Sequence, residues 1–186
     1  MRWRQVVGLW AVALALSVPA LLERREPPPA PAAKEHPPRR RVMALAEDRV
    51  RTVELTRQGT QVVLRQAAGG WTVERPPGAR VSDGLIRAFV EAIVNAEEIE
   101  RLPLGPQPAQ RFGLGERALH VVVETADGQT VRLAVGDRSP TGTAVYARLA
   151  DAPVAVLIGR NLEYYATLIL DAVRRAAEPD AGRPVA

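Results

Sequence analysis

The sequence predicts an α+β fold: mostly antiparallel strand meanders with two packing helices, preceded by an N-terminal membrane anchor and a Pro-rich linker. Three observations predict it. Short stretches alternate apolar and polar residues, as Leu119, Val121 and Val123 do against His120, Val122 and Glu124, and period two marks a strand with one buried face. Tight-turn signals such as Gln58–Gly59 and Asp127–Gly128 separate these stretches, so successive strands run antiparallel. Two segments switch to helical spacing, and each closes a run of strands, so the halves look loosely alike.

Met1 to Leu22 is a targeting segment. Arg2 and Arg4 form a positive start, and Val6 to Leu16 is an unbroken apolar run. Two readings stay open. Val18 and Ala20 sit at small-residue positions suited to cleavage of a signal peptide after Ala20. With Leu21 and Leu22 included, the apolar stretch reaches the lower limit for a transmembrane anchor, about 17 residues. Either reading sends the rest of the chain out of the cytoplasm, the second as a single-pass inner-membrane protein whose domain faces the periplasm. Residues 23–41 are a Pro/Arg-rich linker, and EPPPAPAAKEHPPRRR favours extended polyproline II, a spacer of roughly 45–50 Å at about 3.1 Å per residue.

The domain spans residues 42–175. Val50 to Leu55 and Gln61 to Arg65 are strands of one hairpin, and the Trp71 strand stops at Pro76 and Pro77, which donate nothing to a ladder. Ser82 caps a helix, with Val81 and Ile86 at hydrophobic-staple spacing, and Leu85, Ile86, Phe89, Val90, Ile93 and Val94 form its apolar stripe. Glu98 to Leu102 is an edge strand, and Ala109 to Leu114 a turn of helix or loop. Leu119 to Thr125 and Gln129 to Val135 form a hairpin, Gly136 to Gly142 a polar loop, and Ala144 to Leu149 with Pro153 to Ile158 a further hairpin. Asn161 caps a last helix with Leu162, Tyr165, Leu168, Ile169, Ala172 and Val173 on its stripe. Residues 176–186 are a disordered tail.

Composition excludes several functions. The net charge of +4 is uneven. Residues 1–41 hold eight basic residues against three acidic ones, a net of +5, whereas residues 42–186 hold 17 against 18, a net of −1. The folded part therefore lacks the basic stripe that nucleic acid requires. There is no cysteine, hence no disulfide, thiolate metal site or lipidated N-terminal cysteine. His36 lies in the linker and His120 on the polar side of its strand, so zinc has no histidine pair. Ser139 sits in a turn without a nucleophile elbow. Glu97, Glu98 and Glu100 read as a solvated charge run beside Arg101, and no glycine loop cradles phosphate. Trp71 and Phe112 read as core anchors. No catalytic, cofactor-binding or metal residue emerges, and no enzyme is expected; a hydrolase would have to draw on Asp83, Asp137 or His120.

In order, Trp71-Thr-Val-Glu-Arg-Pro76, Val81-Ser-Asp83, Glu100-Arg101, Arg111-Phe-Gly-Leu114, Leu133-Ala-Val-Gly136 and Val145-Tyr146-Ala-Arg148 resemble the domain-of-unknown-function 4340 family of bacterial envelope proteins. The resemblance spans about residues 42–175. It departs where the family commonly has a proline a few residues past its Phe/Tyr-Gly-Leu: Gly115-Glu116-Arg117 stands there. The resemblance implies an N-terminal anchor and an extracytoplasmic α+β domain, and through some relatives an association with ABC-type export systems. It supplies no catalytic residue. The expected function is a membrane-tethered, non-catalytic interaction domain accessory to an envelope transport assembly, its partners the inner membrane and transporter subunits. The alternative is a periplasmic ligand-binding module for a glycan or peptide, using the Gly136–Gly142 loop and Tyr146.

Overall fold

The computed structural model describes residues 40–104, 109–150 and 152–177. The expected anchor, nearly all of the linker and the tail from Glu178 lie outside the described residues. Among the described residues no helix is long and apolar enough to cross a membrane.

All eight strands join one antiparallel sheet. They are β1 (Val50–Arg57), β2 (Thr60–Ala67), β3 (Gly70–Arg75), β4 (Glu100–Pro103), β5 (Leu119–Thr125), β6 (Thr130–Arg138), β7 (Ala144–Leu149) and β8 (Val154–Gly159). The spatial order is β3-β2-β1-β5-β6-β7-β8-β4. The first three strands of each half thus mirror one another about the β1–β5 pair, and β8 and β4 break the symmetry. The β1–β2 hairpin turns on Gln58 (φ 50°) and Gly59 (φ 81°), the two positive φ angles that a two-residue turn matched to strand twist demands.

Helices α1 (Asp83–Val94) and α2 (Asn161–Ala177) pack on one another and share one core with one face of the sheet. Ser82 Oγ accepts from Leu85 N at 3.4 Å, so the predicted cap is present. Ile86, Phe89, Val90, Ile93 and Val94 are buried and Leu85 is half-buried. Burying each of the larger ones contributes about 1.5–3 kcal/mol of transfer free energy. The sheet answers with Val53 and Leu55, Val62 and Leu64, Trp71, Val121 and Val123, and Leu133 and Val135, the inward set of each alternating strand.

Several expectations need correction. Strand β6 continues through Gly136, Asp137 and Arg138, with a register shift between Val135 and Arg138, so half of the expected polar loop is strand. Asn161 is the first residue of α2 rather than its cap: Tyr164 N already bonds Arg160 O at 2.9 Å. The buried face of α2 is Leu162, Ala166, Ile169, Leu170 and Val173, with Tyr165, Leu168 and Ala172 only half-buried. The expected stripe followed three-residue steps, and a helix of 3.6 residues per turn carries such a ladder off the core within two turns. The fold is also wider than residues 42–175. Arg41 bridges Glu97, Glu98 N bonds Arg40 O at 2.8 Å, and α2 reaches Ala177.

Candidate functional site

The other face of the sheet carries the opposite half of each alternating strand, and among the described residues the chain covers only part of it. After β4 the chain is at one edge, yet β5 lies near the middle of the sheet. The segment between them returns across the outer face. Its single 3₁₀ turn (Ala109–Phe112) sets Phe112 against Tyr146 of β7, ring centroids 4.9 Å apart and tilted by 57°. Leu114 is buried, and with Leu104 and Ala155 of β8 it forms a second, small apolar cluster to which Phe112 and Ala134 are packed. Phe112, expected as a core anchor, is half-buried and packs on this minor cluster.

Two glycines permit the close approach. Gly113 has φ +69° and presses on Asp137. A Cβ on Gly136 would overlap the Phe112 carbonyl oxygen and lie 2.9 Å from the Gly113 carbonyl carbon. The Phe112–Gly113–Leu114 motif and the Leu133–Gly136 motif, far apart in sequence, are thus two sides of one backbone-to-backbone contact.

Where the crossing segment ends, the outer face opens into a cavity of about 210 Å³. Leu114, Val122 and Ala134 give it apolar lining, and His120, Arg132 and Arg148 give it polar groups. Register explains the grouping. His120 on β5 pairs with Ala134 on β6, Ala134 pairs with Arg148 on β7, and Arg132 lies two residues before Ala134 on the same face. Arg148 Nε is buried with no hydrogen-bond partner. Among the described residues neither Arg132 nor Arg148 has an ion-pair partner. Some other arginines are neutralised: Arg65 by Glu74 at 2.8 Å, Arg101 by Glu98 at 2.7 Å, Arg138 by Glu163 at 3.1 Å. Glu54, in the same cross-strand row as Val122 and Arg132, is held on its other side by Gln61 Nε2 at 2.6 Å.

The remaining candidates from the sequence are dispersed. Asp83 accepts from Trp71 N at 2.6 Å and from Arg87 Nη2 at 2.8 Å, so it ties α1 to β3. The Trp71 amide first, then the Arg87 guanidinium, holds its carboxyl below the usual range. Asp137 sits beside Gly113, in a separate recess with Gln110 and Arg117. His120 is exposed in the outer-face cavity. These three do not line one cavity among the described residues. Ser139 is buried and closes the β6–β7 turn, its Oγ accepting from Ala144 N at 3.3 Å and paired with Thr141 Oγ1 at 3.1 Å. Of the acidic trio, Glu98 grips Arg101 through both oxygens, while Glu100 is exposed.

The sequence reading missed Glu163 and Arg148. Glu163 is buried in the first turn of α2 between Arg138, at 3.1 Å, and Arg160, at 3.7 Å. Arg160 Nη1 in turn donates to Gly142 O at 3.0 Å, so this cluster clamps the β6–β7 turn to the helix. An acid at a helix start is its only sequence signal. Arg148 had a stronger one, an arginine on the outward beat of a strand otherwise lined by apolar residues. Among the described residues no group of three or more histidines or carboxylates could hold a metal.

A protein-family model described as domain of unknown function 4340 matches residues 71–177, from β3 to the end of α2 and more than half of the chain. Neither the curated proteins nor the solved structures yield a match.

Proposed function

The chain belongs to the domain-of-unknown-function 4340 family, and on that premise we propose that it is a membrane-tethered, non-catalytic interaction domain on the periplasmic side of the inner membrane, accessory to an envelope transport assembly of the ABC-export type. The observation that carries the reading is where the fold begins. Arg40 O accepts from Glu98 N, Arg41 bridges Glu97, and Val42 N donates to Ala96 O at 2.8 Å. The domain is thus already engaged at Arg40, two residues past Pro38. The apolar leader Met1 to Leu22 and its spacer are left as an upstream tether. A tether matters when it limits where a domain searches for its partner, by raising effective concentration near the membrane. The partners in this reading are the bilayer, through residues 1–22, and the transporter's own subunits.

The test is intact-mass measurement of the protein in the membrane fraction, together with affinity purification in mild detergent. The expected result is a retained Met1–Leu22 segment and co-purification of membrane transporter subunits. A mature N-terminus at Leu21, with the protein free in the soluble periplasm, would overturn the tether and with it the accessory role. A second reading, a periplasmic ligand-binding module, is favoured by one observation, the outer-face cavity with its unpaired arginines. Tyr146, expected to serve such a site, instead packs on Phe112.

A further inference from the structure

We propose that the outer-face cavity is a binding site for a small organic acid, a carboxylate on a short apolar body, held by Arg148 and Arg132. The inference deepens the ligand-binding reading and rests on the cavity alone, so the tether can fail without touching it. Three properties of the cavity select the ligand.

The first is charge. Arg132 and Arg148 both line the cavity, and among the described residues neither has an ion-pair partner. Arg148 Nε itself is closed to solvent, so the rest of its guanidinium is what Arg148 offers the cavity. An anion in the cavity meets two cations that no carboxylate among the described residues pairs. The planar guanidinium fork suits a carboxylate, which takes two parallel N–H bonds. Arg132 adds a second cation on the neighbouring strand, and His120 a ring nitrogen able to donate.

The second property is the polarity of the lining. Val122, Ala134 and Leu114 offer no donor from their side chains. A tetrahedral phosphate presents oxygens in every direction, and those facing these side chains would lose water without gaining a partner. A carboxylate keeps both oxygens at one end and leaves the rest of the molecule apolar. It meets the arginines with the charged end and Val122, Ala134 and Leu114 with the other.

The third is size. The cavity's volume is about 210 Å³. That holds a carboxylate with a few carbons.

The experiment is equilibrium dialysis of the full-length protein, in non-ionic detergent at low chloride, against radiolabelled butyrate, with inorganic phosphate as competitor. The expected result is saturable binding of one butyrate per chain, displaced only at much higher phosphate. Arg132→Gln and Arg148→Gln should each weaken it by about tenfold or more, as loss of a charge-assisted bond does. Arg65→Gln, on the same sheet face but paired to Glu74, should leave it unchanged. Arg132 is exposed, so its variant keeps the test valid even if the Arg148 variant fails to fold. No saturation by butyrate in the unmodified protein, or unchanged binding in Arg132→Gln, overturns the proposal. Phosphate binding as tightly as butyrate overturns the choice of an apolar-bodied carboxylate.

Discussion

Gly136→Ala tests whether the crossing segment is held by backbone contact. Gly136 does not have a positive φ, so alanine meets no conformational penalty there and only space matters. The added methyl would overlap the Phe112 carbonyl oxygen and crowd the Gly113 carbonyl. Those atoms are backbone and cannot rotate aside, so the segment must lift from β6. Overpacking costs typically about 1–3 kcal/mol, and an obstacle made of main chain puts this case at the upper end, about 3 kcal/mol. For a domain of this size that is a fall in Tm of roughly 6–12 °C. Gly115→Ala is the matched control. Its methyl would meet only the Gln110 Cγ at 3.2 Å, a side chain that can give way. Thermal and urea unfolding of both variants, with Tyr146 fluorescence or ring chemical shifts to report on the Phe112 contact, separates the two. If Gly136→Ala melts within about 1 °C of the parent, the crossing segment is not seated on β6 and the cavity wall built from Leu114 is misplaced.

Other outcomes follow from single observations. Trp71→Ala should destabilise the domain by about 3–5 kcal/mol, since Trp71 is buried in the main core; chemical denaturation measures it, and an unchanged midpoint refutes the assignment. A fragment beginning at Arg40 should fold alone, whereas one beginning at Ala44 loses the Arg41–Glu97 bridge and buried Val42 and Met43, and should melt lower by circular dichroism. Asp83, Glu74 and Asp127 all have carboxyl pKa values lowered in the fold, chiefly by the Trp71 amide, the Arg65 side chain and the Thr125 hydroxyl respectively. Their stabilisation is complete above the unfolded carboxylate range, about pH 4, and is lost as pH falls through the lower folded values. Asp83→Asn should flatten part of that acid limb in a Tm-versus-pH series, and an unaltered limb would show that Asp83 contributes nothing to it.

What the sequence disclosed depended on the range of the interaction. Ser82, the Gln58–Gly59 turn and the stripe from Ile86 to Val94 are local, and they were legible because cap, turn and helix period are written within a few residues. Asp83 stood out only as an acid a hydrolase could draw on, because its partner Trp71 N is on another element. The cavity was not legible at all. The Asp127–Gly128 turn makes the strands of His120 and Arg132 neighbours, but nothing in the spacing sets their register or places the strand of Arg148 beside them.

Topology supplies the missing step. The chain leaves β3 at one edge and must enter β4 at the other, seven strand spacings or roughly 34 Å away at about 4.8 Å each. Helix α1, 12 residues long, covers only about 18 Å of that at 1.5 Å per residue, so the segments on either side of it supply the remainder. Having crossed the helix face to reach β4, the chain must come back to β5 in the interior of the sheet. The helix face is already filled by α1 and α2, which share its core. The outer face is the route left, and its tight point is the β6 glycine that lets the Phe112 carbonyl approach. The segment turns down into β5 from there, so among the described residues it lies over β8, β7 and the far part of β6. Arg148, on the strand under its margin, is covered at Nε without being given a partner. The half-covered arginine is thus a consequence of the β4-to-β5 return, and lifting that return with Gly136→Ala should release Arg148 to water and abolish butyrate binding together with the Phe112–Tyr146 contact.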